Sequence, residues 1–171
     1  EFDIWMNLLK KIKNSVLWLY KSNDYSEINL KKESENRGVE SSRIIFANTL
    51  SNEEHLSRIK CADLFLDTFN YNAHTTASDA LWSGVPVITK QGKSFPARVC
   101  SSLLTSLGLE ELIVKDNEEY EEKAFSIATN RTYLKDLKYR LNQSRTTSTL
   151  FDTKRFTENL EEIYLKLVKN L

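Results

Sequence analysis

The stretch ADLFLDTFNYNAHTTASDALWSGVPVIT, residues 62–89, decides the fold class. Its first six residues are mostly apolar and predict a buried strand, and residues 85–89 predict another. Residues 75–83 between them predict a short helix, which Gly84 ends and which Pro86 prevents from continuing. A strand, a helix and a strand in this order predict a parallel pair of strands joined by a crossover helix.

The same alternation continues on both sides of this stretch. Further strands are predicted at residues 15–20, 43–47 and 111–114, and further helices at 2–13, from 51, from 96 to 107, 117–129, 131–144 and 153–170. Residues 22–42 predict a loop and a weak helix, and Ser51 with Glu54 is a capping-box pattern. We therefore predict one α/β domain over residues 1–171, a Rossmann-like parallel sheet flanked by helices.

Composition excludes several classes of function. Lys plus Arg number 24, as do Asp plus Glu, so the net charge is zero and no basic stripe predicts nucleic-acid binding. No apolar run is long enough to predict a membrane span, and residues 1–5 lack the features of a signal peptide. Cys61 and Cys100 have no metal or redox spacing, which predicts two buried reduced thiols and a cytoplasmic protein. The tryptophans are predicted to pack in the core: Trp5, Trp18 and Trp82.

Candidate binding residues follow the strand that ends at Asp67, because open parallel sheets bind ligands at the carboxyl ends of their strands. A helix begins there at His74, Thr75 and Thr76. Its free amides and positive dipole end favour a phosphate group. Asp79 lies one turn further on the same face, where its carboxylate can accept from ribose hydroxyls. Ordinary capping by the threonines is the alternative, but the combination favours a nucleotide diphosphate.

A second candidate cluster lies near the start of the helix that Ser51 opens. His55 and Arg58 are three residues apart and share one helix face. Arg58 can stack on a nucleotide base or donate hydrogen bonds to it. Taken alone, the cluster favours the simpler interpretation of an exposed helix with an ion pair between Arg58 and Glu54.

Short motifs along nearly the whole chain resemble those of a known family. They are Arg43-Ile44-Ile45-Phe46, Glu53-Glu54-His55, Ala62-Asp63, Leu66-Asp67-Thr68, His74-Thr75-Thr76 with Asp79, Leu81-Trp82 with Gly84, Arg98-Val99 with Ser102, Glu119-Tyr120-Glu121 and Leu150-Phe151-Asp152-Thr153-Lys154. Together they resemble the C-terminal catalytic lobe of the protein O-GlcNAc transferases, and residues 72–82 are more similar to bacterial members than to animal ones. The resemblance implies a GT-B fold, in which two Rossmann-like lobes enclose the active site.

The resemblance also implies a reaction and a site. The reaction is the inverting transfer of GlcNAc from UDP-GlcNAc to serine or threonine of acceptor proteins, with no metal or other cofactor. The implied nucleotide-binding residues are His55, Arg58, His74, Thr75, Thr76 and Asp79. In this scheme His74 and the two threonines contact the diphosphate, Asp79 binds the ribose, and the α-helical pair His55 and Arg58 lies beside the uracil. His74 stabilises the departing UDP, and no catalytic set is complete in this chain.

Parts of the family pattern lie outside the sequence. The resemblance implies an N-terminal lobe and tetratricopeptide repeats that bind acceptor proteins, and a phosphate-binding lysine just upstream. Asn52 replaces another family lysine, and Tyr71 stands where animal enzymes carry a smaller residue beside the sugar. We expect a fragment that is inactive alone and whose last helix packs its apolar stripe on the absent lobe or self-associates. The alternatives are a GT-B transferase with another donor, such as GDP-fucose, and a non-catalytic nucleotide-sugar-binding module.

Overall fold

A computed structural model describes residues 1–169 of the chain. The strands are β1 (Leu17–Tyr20), β2 (Ile44–Ala47), β3 (Phe65–Leu66), β4 (Val87–Lys90) and β5 (Ile113–Val114). The helices are α1 (Phe2–Lys11), α2 (Asp24–Asn36), α3 (Asn52–Ile59), α4 (Thr75–Trp82), α5 (Val99–Ser106), α6 (Asn117–Thr129), α7 (Arg131–Thr147) and α8 (Thr153–Lys169). The alternation of strands and helices is confirmed, while residue 170 of the predicted last helix lies outside the described residues.

All strand pairs are parallel, as predicted. Within residues 1–169 the hydrogen-bonded ladders form two groups, one of β1 with β2 and one in the order β3, β4, β5. All five strands are shorter than the runs that predicted them, and β3 and β5 are the shortest. β3 keeps only Phe65 and Leu66, and β5 keeps only Ile113 and Val114, because residues 110–112 form a 3-10 turn instead.

Helices pack on both faces of the strand β4, as is typical of a parallel strand, whereas β1 and β2 leave Tyr20 and Ile45 exposed. Successive side chains of a strand point to opposite faces. Val87 of β4 therefore joins one buried cluster with Leu81 of α4. Ile88, the next residue, joins another with Leu8 of α1 and Tyr120 of α6. Because its successive side chains enter different clusters, β4 is held between two hydrophobic cores, one of which includes α4.

Two sequence-based predictions of burial are wrong. Cys61 is exposed just after α3, whereas Cys100 is buried as predicted, and both thiols are free. Trp82 is 39% exposed. The Trp82 ring lies edge-on to the Phe151 ring, with 5.2 Å between their centroids. The guanidinium of Arg145 lies 4.6 Å from the centroid of the Trp82 ring. Apolar periodicity places a residue on a helix face, but the neighbouring elements decide how deeply that face is buried.

The last helix, α8, contributes no residue to the core. Four of its predicted stripe residues are exposed: Phe156, Ile163, Tyr164 and Leu167. Packing of this stripe against another lobe stays a prediction. No helix within residues 1–169 has both the length and the apolar character required to cross a bilayer.

Candidate functional site

The loop between β3 and α4 is folded around the buried carboxylate of Asp67. Its Oδ1 accepts from the backbone N–H groups of Thr68 at 2.9 Å and Ala73 at 2.6 Å. Its Oδ2 accepts from the Thr89 hydroxyl at 2.6 Å, and the Tyr120 hydroxyl donates to the Asp67 carbonyl oxygen at 2.9 Å. Since Thr68 and Ala73 stand at the two ends of the loop, one carboxylate ties those ends together and sets where α4 begins.

Burial controls the ionisation of this network. It raises the pKa of the Asp67 carboxyl, while hydrogen bonds from Thr89, Ala73 and Thr68 act in the opposite direction. It also raises the pKa of the Tyr120 hydroxyl, which therefore remains a neutral donor at physiological pH. The three donors that face the carboxylate satisfy it without any cation, which is the condition for holding an acid in an apolar interior.

The start of α4 lacks a side-chain cap, as do the starts of α1 and α5, whereas α2, α3, α6 and α7 each have one. Ser51, Asp116 and Asn130 accept from backbone N–H groups at the starts of α3, α6 and α7. His74 occupies the equivalent position of α4 but makes no such bond. The first helical residues, Thr75 and Thr76, are exposed, and their hydroxyls have no hydrogen-bond partner within residues 1–169. Amides and hydroxyls here are therefore open to an anionic ligand.

The half-buried imidazole of His74 is held by aromatic contacts beside this opening. It stacks on the Tyr71 ring, with 4.7 Å between centroids and 16° between planes. The Phe95 ring lies edge-on to it at 6.2 Å, and its Nε2 is 3.4 Å from the carbonyl oxygen of Pro96. Tyr71 and Phe95 are 64% and 78% exposed, so they form an aromatic rim around His74.

The two predicted clusters meet between α3 and α4. The His55 Nε2 lies 4.0 Å from the Asp79 Oδ2, and both side chains are half-buried. Asp79 is one helical turn from the open start of α4 at Thr75. The structure therefore brings the imidazole of His55, from a separate segment, to the carboxylate of Asp79 near the uncapped start of α4.

Arg58 does not form the ion pair with Glu54 that the sequence left open. Glu54 is engaged in the predicted capping box, which is confirmed: its carboxylate accepts from the Ser51 amide at 3.1 Å and hydroxyl at 2.7 Å. The Arg58 Nη1 instead donates to the carbonyl oxygen of Asn48 at 2.9 Å. Its guanidinium carbon lies 5.3 Å from the centroid of the Trp18 ring.

Sequence reasoning missed several residues that shape this site. They are Asp67, Thr89 and Tyr120 in the buried network, Phe95 beside His74, and Trp18 beneath Arg58. One signal was available, because Asp67 is an acid that directly follows the apolar residues 64–66. Within residues 1–169 no group of three or more His, Cys, Asp or Glu side chains is arranged to hold a metal ion. Whether the reaction requires a metal stays a matter of prediction.

Comparison with known proteins identifies one family. Residues 1–160 match the sequence profile of Glycosyl transferase family 41. The chain is 42% identical over 166 residues to the probable UDP-N-acetylglucosamine–peptide N-acetylglucosaminyltransferase SEC of Arabidopsis thaliana, which covers 96% of this chain and 17% of that protein. It is 37% identical over 161 residues to the UDP-N-acetylglucosamine–peptide N-acetylglucosaminyltransferase of Caenorhabditis elegans, which covers 94% of this chain and 14% of that protein.

A solved structure agrees with these sequence relatives. The chain superposes on a mutant O-GlcNAc transferase of Thermobaculum terrenum with a TM-score of 0.88 and 30% identity, over 95% of this chain and 32% of that one. This agreement confirms the predicted α/β fold of the GT-B class. The chain spans less than a fifth of the length of either sequence relative. On the profile match and these identities, the chain belongs to glycosyl transferase family 41.

Proposed function

We propose that this chain is the UDP-binding lobe of an inverting O-linked N-acetylglucosaminyltransferase. The whole protein would transfer GlcNAc from UDP-GlcNAc to serine or threonine residues of acceptor proteins. One observation carries the proposal: the start of α4 is uncapped beside His74, and Asp79 faces His55 one turn further along. Membership of the family and the names of the relatives support this donor and this acceptor class.

The chemistry of these groups matches the parts of a nucleoside diphosphate. The amides and hydroxyls of Thr75 and Thr76 would bind the diphosphate, with the positive end of the α4 dipole adding attraction. Negative charge grows on the diphosphate as the sugar leaves, and a hydrogen bond from His74 to it would strengthen in the transition state. Asp79 would accept from the ribose hydroxyls, and Arg58 would donate to the base. The proposal assigns leaving-group stabilisation to these groups and needs no cofactor.

Acceptor recognition is proposed to involve residues beyond these 171, since the chain spans 17% and 14% of its two relatives. A cytoplasmic location stays a prediction, which the two free thiols Cys61 and Cys100 support.

Titration calorimetry with UDP and GDP tests the nucleotide assignment. We expect UDP to bind more tightly than GDP, and Asp79→Ala to weaken UDP roughly tenfold to a hundredfold, since a hydrogen bond to a charged group contributes about 1.5–3 kcal/mol. Asp136→Ala is the matched control, because Asp136 is an exposed helical aspartate on α7. Equal binding of UDP and GDP, or an Asp79→Ala variant that binds UDP as well as the unaltered chain, would contradict the proposal.

The chain by itself is expected to transfer no sugar. The proposal assigns His55, His74 and Asp79 to the nucleotide and none of them as the base for the acceptor hydroxyl, and it assigns acceptor recognition to other residues. Incubating the chain with labelled UDP-GlcNAc and an acceptor protein should leave the protein unlabelled, while UDP binding persists. Labelling above that obtained with heat-denatured chain would show that these 171 residues suffice, and would remove this part of the proposal.

A further inference from the structure

Arg58 is held in place by contacts with strand β1 and with the residue that follows β2. Its guanidinium lies over the ring of Trp18 from β1, 5.3 Å from the ring centroid. Its Nη1 donates at 2.9 Å to the carbonyl oxygen of Asn48, the residue that follows β2. Its Nε is buried and has no hydrogen-bond partner within residues 1–169. An otherwise flexible side chain is thereby restrained at the carboxyl edge of the sheet, so little rotamer entropy remains to be lost when a ligand binds.

Arg58 lies on the same helix as His55, which contacts the proposed ribose-binding residue Asp79. Arg58 follows His55 by three residues on α3, so the two side chains share one helix face. His55 contacts Asp79, which lies one turn from the open start of α4. A nucleoside diphosphate with its phosphates at Thr75 and its ribose at Asp79 therefore continues towards Arg58 with its base.

We propose that Trp18 is a positioning residue for the base, acting through Arg58. This inference rests on the proposed function and deepens it. The guanidinium lies over the Trp18 ring, and its remaining N–H groups can meet a base. Trp18 therefore restrains the position from which Arg58 donates.

The donor set of Arg58 predicts which pyrimidine is selected. A guanidinium only donates hydrogen bonds. Uracil, like thymine, presents a carbonyl oxygen at its position 4, whereas cytosine presents an amino group that also donates. A restrained Arg58 therefore favours UDP over CDP, and a loosely held Arg58 discriminates less, because it can turn away from the cytosine amino group.

Calorimetry with UDP, CDP and inorganic pyrophosphate tests this role on the unaltered chain and on Trp18→Leu. We expect Trp18→Leu to weaken UDP roughly tenfold and to lower the ratio of UDP to CDP affinity, in keeping with the strength of a partly buried cation–π contact. Pyrophosphate has no base, so its affinity should not change. Trp18→Phe keeps an aromatic face and should restore most of the UDP preference, and it carries the test if Trp18→Leu does not fold.

Phe46→Leu is the matched control. Phe46 is a half-buried aromatic on the neighbouring strand β2 and has the Lys31 ammonium 5.7 Å from its centroid. Its replacement removes a ring and a cation–π contact without touching Arg58, so the ratio of UDP to CDP affinity should stay that of the unaltered chain. An unchanged ratio of UDP to CDP affinity in Trp18→Leu, or an equal loss of UDP and pyrophosphate binding, would overturn the positioning role of Trp18. Either result would leave the proposed function standing. Failure of the unaltered chain to bind UDP would overturn the proposed function and this inference together.

Discussion

Replacing Leu81 by alanine should lower the free energy of unfolding by about 3 kcal/mol, as expected when a fully buried leucine is truncated. Leu81 is completely buried on α4 and packs in the cluster that contains Val87 and Leu104. The substitution removes apolar contacts and leaves a cavity that the close-packed neighbours fill only in part. Urea-induced unfolding followed by circular dichroism measures the change, with an unchanged m-value as the sign that only stability has altered.

Leu165→Ala makes the same chemical change on an exposed helix face. Leu165 is 61% exposed on α8, so its truncation should alter the free energy of unfolding by no more than about 0.5 kcal/mol. Comparable losses in the two variants would mean that α4 does not pack as described. The position of the candidate phosphate site at the start of α4 would then lose its support as well.

Replacing Asp67 by alanine should cost about 3 kcal/mol of stability and also abolish measurable UDP binding. The change removes the acceptor of three hydrogen bonds, from the amides of Thr68 and Ala73 and the hydroxyl of Thr89. The hydroxyl of Thr89 belongs to a completely buried residue, so water does not replace its lost partner. With the ends of the loop no longer tied, His74 and the α4 start lose their defined position. Thermal unfolding and calorimetry with UDP measure the two effects.

Asp63→Ala is the control for this substitution. Asp63 lies in the same segment, but its side chain is 79% exposed and faces Lys138 at 3.3 Å. Exposed ion pairs contribute at most about 1 kcal/mol, so the control should unfold nearly like the unaltered chain and bind UDP normally. An Asp67→Ala variant that keeps both stability and UDP binding would show that the buried network does not position the site.

Local patterns predicted most of the fold because they report backbone preferences directly. The capping box at Ser51 and the helix end at Gly84, where φ is +80°, depend on residues only a few positions apart. The boundaries of β3 and β5 were predicted less well. An apolar run shows that a segment is buried, but the ladder extends only as far as a neighbouring strand runs beside it.

The candidate site divides in the same way. The start of α4 at His74, with Thr75 and Thr76, was visible in the sequence because strand, loop and helix follow one another there. The meeting of His55 with Asp79 was not, because it requires α3 and α4 to pack side by side. The exposure of Cys61 could not be predicted from its residue type either, because burial depends on which other segments pack over that residue.

By itself, then, the sequence determined the alternation of parallel strands and helices, the helix start that faces the ligand edge, and a resemblance that the family comparison confirmed. Only the tertiary structure decided that Asp67 ties the loop to Thr89, and that Trp18 lies beneath Arg58. The physical reason is how far apart in the chain the interacting residues lie. Helix periodicity, caps and turns arise between near neighbours in the chain, whereas a buried carboxylate network or a guanidinium over an aromatic ring exists only when distant segments pack together.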